Sequence, residues 1–245
     1  MIERLHPLPS PETLRLLVFD LDGTLIDSRA DLTASINAML KHFGRPPLPE
    51  EVIAGYIGDG APMLVRRALG DPMDERFLEG ALDYFLGYYR EHKLDHTYVY
   101  DGVFAALEKL RRELPDVQMA VLSNKPVVPS QAICEALGLS RYFFQVYGGN
   151  SFPVKKPDPQ GLLALMDEAG AAAAATLMVG DSDVDVLTAR NAGTFVVGCR
   201  FGLSPHSLET ARPDCVVDSP FEWLEAIHLE QPGEAAEALA VNSPS

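Results

Sequence analysis

The chain has 245 residues, 47% of them hydrophobic and 22% charged, enough to bury a sizeable core as one large domain or as one domain carrying a smaller insertion. Its formal net charge of −15 argues against a nucleic acid or an anionic membrane as partner, since either would call for a basic patch. No apolar run approaches a membrane span of roughly 18 residues, the first residues lack an apolar signal core, and Cys134, Cys199 and Cys215 stand at unrelated spacings, so a cytoplasmic protein without disulfides or a zinc site is expected.

Residues 1–13 are Pro-rich and read as a flexible lead-in. The apolar run Leu16–Phe19 reads as a buried strand that ends abruptly in Asp20 and Asp22, followed by Gly23 and Thr24. Strand side chains alternate in direction, so Asp22 falls just past the strand, where Gly23 lets the chain turn and both acids converge on one cleft. An isolated Asp-x-Asp-Gly is also a common surface turn. Ser28 is then placed to cap a helix over 29–43, in which Leu32, Ile36, Met39, Leu40 and Phe43 recur at helical spacing. Gly44 and the Pro46-Pro47 pair stop it, and further helices are expected over 49–57, 61–69 and 74–92. No strand-like alternation appears between residues 29 and 95.

From residue 99 the pattern changes. Helices at 102–113, 127–138 and 158–169 precede apolar strands at 117–122, 143–147 and 176–179, and shorter strands near 194–197 and 215–217 lead to a last helix at 220–229. Such alternation predicts an α/β fold, a Rossmann-like parallel sheet with helices on both faces, and Trp223 is expected to pack on it. Residues 14–27 and 98–229 would form this core, 28–97 an inserted helical cap able to act as a lid, and 230–245 a disordered tail.

Three more stretches fall beyond strand ends. Ser123-Asn124-Lys125 offers a hydroxyl and successive N–H groups to an oxyanion, or merely a helix cap. In Lys155-Lys156-Pro157 a lysine can serve as a phosphate-binding point charge, or lie solvated on the surface. Gly180-Asp181-Ser182-Asp183-Val184-Asp185 crowds three carboxylates that repel one another unless solvent or a cation compensates them. With Asp20 in the same cleft, a hard cation taking oxygen ligands, Mg²⁺, is the better explanation.

The order DLDGTL, SNK, KKP and GDSDVD resembles the four motifs of haloacid dehalogenase-type phosphatases over residues 15–229, and the helical insertion is similar to the cap of the phosphoglycolate phosphatase-like branch. The resemblance implies a Mg²⁺-dependent phosphatase acting on a small phosphorylated metabolite, with 2-phosphoglycolate as the candidate. Asp20 would be the nucleophile and Asp22 the general acid and base, with Thr24, Ser123, Asn124 and Lys156 on the phosphoryl group. Mg²⁺ would be held by Asp20, the main-chain carbonyl of Asp22 and Asp181, with Asp185 supporting the site either as a further ligand or from behind the ligands. Lys156 is selected because the family lysine directly precedes proline, with Lys155 beside it as a potential substitute. In the cap, Gly58 and Gly60 would allow close approach to the acids, and Arg66 or Arg67 would either pair with a substrate carboxylate or lie on a solvated helix face. A pyrophosphatase, a sugar-phosphate mutase and a catalytically silent phosphate- or metal-binding module stay open as alternatives.

Overall fold

The computed structural model describes residues 1–228. The tail expected at 230–245 lies outside the described residues. In chain order the strands are β1 (Glu3–Arg4), β2 (Leu16–Phe19), β3 (Ile26–Asp27), β4 (Tyr98–Val99), β5 (Gln118–Leu122), β6 (Gln145–Tyr147), β7 (Thr176–Gly180), β8 (Phe195–Cys199) and β9 (Cys215–Val217). Seven of them form one sheet in the order β1-β9-β8-β7-β2-β5-β6, parallel throughout except for β1.

The central strand β2 is in register with both neighbours: Phe19 lies opposite Val121 on β5 and Val179 on β7. Three loops therefore leave the sheet at one level, and the chain beyond each strand enters the same crevice. Alternation along β2 divides the core. Leu17 and Phe19 pack on one face with Val103 and Leu107 of α5 (Val103–Glu113), Ile133 of α6 (Val127–Ala136) and Trp223 of α10 (Trp223–His228). Leu16 and Val18 face the other side, against Leu162 and Leu165 of α7 (Gln160–Ala169) and Val186 and Ala189 of α8 (Asp183–Ala192). Each such buried side chain contributes on the order of 1.5–3 kcal/mol. Trp223 packs on the sheet as expected, its ring centred 5.2 Å from that of Phe19. All three cysteines are buried and unpaired.

Between β3 and β4 lie α1 (Arg29–His42), α2 (Glu50–Ala54), α3 (Ala61–Ala68) and α4 (Glu75–His92). Ile36, Met39, Ile53, Leu64, Ala81 and Phe85 join in an apolar cluster of their own, separate from the two faces of the sheet. The unit's two connections run side by side, because β3 and β4 pair antiparallel with Ile26 opposite Val99 and Asp27 opposite Tyr98. Asp31, fully buried in α1, reinforces this junction by accepting from the N–H groups of His96 and Thr97 and from the Thr97 hydroxyl.

Several elements depart from expectation for local reasons. The lead-in is tied down: β1 pairs with β9, Leu5 and His6 donate to the Asp214 carbonyl, and Leu8 is buried. Pro-rich composition does not register an edge pairing of two residues. Ser28 makes no cap bond to α1, because its hydroxyl donates instead to Asp22 Oδ1 at 2.5 Å. α7 starts at Gln160 rather than 158, since the ring of Pro159 disfavours the helical conformation at Asp158, whose carboxylate accepts from Gln160 N instead.

Candidate active site

Asp20 stands at the end of β2, where its N–H donates to the Val179 carbonyl, and its side chain is almost wholly buried. The turn that follows closes back on Leu21, whose carbonyl accepts from Leu25 and Ile26, and it requires a glycine at position 23. Gly23 has φ +90°, and a Cβ there would come 2.2 Å from Asp181 Oδ2. The same glycine thus permits the turn and makes room for the acid at the end of β7.

Carboxylate oxygens of Asp20, Asp181 and Asp185 lie within 4.8 Å of one another. Lys156 Nζ enters this group, 2.8 Å from Asp20 Oδ1 and 2.6 Å from Asp185 Oδ1. Asp181 and Asp185 are both anchored by hydrogen bonds. Asp181 Oδ2 accepts from Leu203 N and Ser204 N, and Asp185 Oδ2 accepts from the Ser182 N–H and hydroxyl in a capping box at the start of α8. Burial pushes Asp20 up to about 7, with Asp185 and Asp22 adding to the rise against the pull of Lys156. Asp181 is driven well above the ordinary carboxylate range by burial and then by Asp185 and Asp20. Burial would lower Lys156, but Asp185 and Asp20 hold it above its usual value.

Asp22 belongs to a second cluster. Its carboxylate accepts from Lys125 Nζ at 2.8 and 2.9 Å and from the Ser28 hydroxyl. Lys125 Nζ also lies 4.9 Å from the centre of the Tyr89 ring on α4. Asp20 and Asp22 both line a cavity of about 50 Å³ closed over by the helical unit, with Leu32, Ile57, Leu64 and Phe85 among its walls.

Of the other predicted positions, Ser123 and Asn124 line this cavity, whereas Thr24 is fully buried outside its lining with its hydroxyl unpartnered. Ser123 Oγ accepts from Lys125 N. Asn124 Nδ2 donates to the Lys156 carbonyl and, across to the helical unit, to the Gly58 carbonyl, both at 3.0 Å. Gly58 and Gly60 line the cavity, and a Cβ on Gly60 would come 2.8 Å from the Asn124 carbonyl oxygen. Lys155 does not approach the acids, because its ammonium donates to the Asp59 carbonyl. Arg66 and Arg67 are not brought to the site either. Arg66 is engaged by Asp71 and Glu75, and Arg67 by Asp59 and the Tyr56 carbonyl. Lys125 and Tyr89 are what the sequence reading did not single out. Lys125 carried a signal as the third residue of SNK at a strand end, whereas Tyr89 was only one of several aromatic residues on the inner side of its helix.

A parallel sheet with acids gathered beyond the carboxyl ends of β2 and β7, a buried lysine among them and a helical unit over the cleft defines a Rossmann-like α/β fold with an acidic site at its crevice. The sequence profile of the haloacid dehalogenase-like hydrolases matches residues 17–199, and the chain belongs to that family. It is similar to phosphoglycolate phosphatase 1 of Pseudomonas aeruginosa, with 42% identity over 84% of this chain and 76% of that one. It is also similar to the phosphoglycolate phosphatase of Pseudomonas fluorescens, with 40% identity over 99% and 89%. Among solved structures, that of a predicted phosphoglycolate phosphatase from Haemophilus somnus superimposes with a TM-score of 0.81 at 32% identity, covering 87% of this chain and 97% of the other.

Proposed function

We propose that this protein is a Mg²⁺-dependent phosphatase that hydrolyses a small phosphate monoester, 2-phosphoglycolate, through an aspartyl-phosphate on Asp20. The observation that carries the reading is the placement of Asp20 between two unlike clusters: the acids with Lys156 on one side, and Asp22 with Lys125 at the cavity wall on the other. Three buried carboxylates against one lysine leave excess negative charge, and an all-oxygen donor set of this kind fits a hard divalent cation. Mg²⁺ held by Asp20, Asp181, Asp185 and the Asp22 main-chain carbonyl would offset the charge of the phosphoryl oxygens.

Asp20 attacks phosphorus, forming a P–O bond to its carboxylate as the bond to the substrate's ester oxygen breaks. Asp22 delivers its proton to the departing alkoxide, then as a carboxylate takes a proton from the water that attacks the aspartyl-phosphate, so that phosphate leaves and Asp20 is restored. Lys125 and Ser28 fix the Asp22 carboxylate for both steps. Lys156 orients Asp20 and, with Ser123 and Thr24, faces the phosphoryl oxygens. The segment 28–97 serves as the cap: Asn124 and Lys155 clamp its Gly58–Gly60 loop to the core and keep water from the reacting centre. Apolar walls at Leu32, Ile57, Leu64 and Phe85 suit a carbon-bearing leaving group better than the second phosphate of pyrophosphate. A cytoplasmic setting belongs to the same reading, supported by three buried cysteines that remain unpaired.

The test is phosphate release from a panel of small monoesters and pyrophosphate, with and without Mg²⁺, in wild type and Asp20→Asn. The reading expects Mg²⁺-dependent release, greatest with 2-phosphoglycolate and abolished by Asp20→Asn. Release that survives Asp20→Asn would remove the aspartyl mechanism, and no release by the folded wild type would remove the phosphatase.

A further inference from the structure

The cavity that receives the leaving group has an uneven charge. Among its lining residues Asp20 and Asp22 are acidic, and Lys125 is the only cation. Lys125 is buried, and its ammonium carries three hydrogens, whereas the bonds it makes to Asp22 account for at most two of them. Beside it the Tyr89 hydroxyl is buried, 4% of the residue being exposed, and finds no hydrogen-bond acceptor for its proton. A neighbouring ammonium can only donate, so it cannot fill that need. An ammonium held by a single carboxylate and, beside it, a hydroxyl whose proton has no acceptor are thus buried at the wall of one small cavity, where a second anion would be shared by both.

We propose that Lys125 and Tyr89 together form the site that binds the carboxylate of the substrate, and so determine its preference for carboxylate-bearing phosphate esters. The proposal rests on the phosphoglycolate reading and names the residues that carry it out. In 2-phosphoglycolate the carboxylate is attached to the carbon that bears the ester oxygen. Asp22 must reach that oxygen to protonate it, and Lys125 Nζ lies 2.8 Å from Asp22, so an acid group on the adjacent carbon falls beside Lys125. The arginines of α3 are committed elsewhere, Arg66 to Asp71 and Glu75 and Arg67 to Asp59, and neither lines the cavity. The remaining walls are largely apolar, so a neutral leaving group of similar size would fit without satisfying the two donors.

The experiment compares kcat/KM for 2-phosphoglycolate with that for ethyl phosphate, which replaces the carboxylate by a methyl group, in wild type, Lys125→Met and Tyr89→Phe. Tyr89→Phe removes only a hydroxyl that has no acceptor, so its fold should persist even where the lysine substitution proves damaging. Wild type is expected to prefer 2-phosphoglycolate. That ratio should fall about tenfold or more in Lys125→Met, the effect of one charge-assisted hydrogen bond, and about threefold or more in Tyr89→Phe. An unchanged ratio in Tyr89→Phe would overturn the joint site. Equal losses on both esters in Lys125→Met would reduce Lys125 to a positioning partner of Asp22 and overturn its assignment. A wild type that cleaves both esters without preference would overturn the phosphoglycolate reading, and one that cleaves neither the phosphatase itself; each takes this proposal with it.

Discussion

At the scale of single residues, the acids around Lys156 are held at a cost that a proton or a cation relieves. Asp20 sits near 7 through burial and its acidic neighbours, against 3.8 for an ordinary aspartate, and Asp181 is raised as well. Between those values the folded protein binds more protons than the unfolded chain, so the contribution of these acids to stability falls as pH rises from about 4 to about 7. A divalent cation removes the same repulsion but competes with the protons. Saturating Mg²⁺ should therefore raise the melting temperature more at about pH 7.5 than at about pH 5, as read by thermal melts at the two pH values. Equal shifts would contradict it. Asp20, Asp181, Asp185 and Lys156 were legible in the sequence because each follows a strand end or precedes a proline that fixes its place. The partnership of Lys125 with Asp22 and Tyr89 was not, since it joins three segments whose meeting depends on how the helical unit settles over the sheet. Ser28 misled for a related reason: a helix-capping residue type was claimed by the Asp22 carboxylate six residues earlier.

Among elements, the loop between α2 and α3 touches the core at its closest point. Gly60 has φ +81°, and an added Cβ would meet the Asn124 carbonyl and, at 3.2 Å, Lys155 Nζ. Gly60→Ala should lift the loop away from the acids, lowering kcat/KM by about 10- to 100-fold, the order expected for a displacement near 1 Å. Backbone strain at such a position costs about 1–3 kcal/mol. Gly70→Ala is the control, because Gly70 has φ +77° with nothing within 4 Å of its added Cβ. It should lose comparable stability on chemical denaturation with kcat/KM nearly unchanged, and a matching loss of activity would reject the loop's role. The helices themselves were readable from apolar spacing, and α1 and α4 fall within a residue of their expected ranges. The strands β3 and β4 were not, because two residues cannot display an alternation, and only the antiparallel pairing across 71 residues reveals them.

For the whole molecule, the net charge of −15 opposes any phosphorylated substrate at a distance, whereas the cations proposed to receive it, Lys125 and Lys156, are buried and act only within the cleft. The Debye length shortens from about 30 Å at 0.01 M to about 8 Å at 0.15 M ionic strength, so salt screens the distant field far more than the buried contacts. KM for 2-phosphoglycolate should accordingly fall as ionic strength rises over this range at fixed Mg²⁺. A rise would show that the local cations govern encounter as well as binding. The sheet architecture was legible because β-α alternation admits few arrangements, and the division of β2 into two faces follows from period-two alternation alone.

The side-by-side entry and exit of the helical unit at β3 and β4 also bear on how such a protein changes over generations. One uninterrupted stretch of coding sequence specifies the whole helical unit, and it joins the rest through two neighbouring seams. Recombination at those seams would swap the unit without altering the strand order. The sheet side would keep its reaction while a different roof, meeting the same lysine, presented new partners to the substrate.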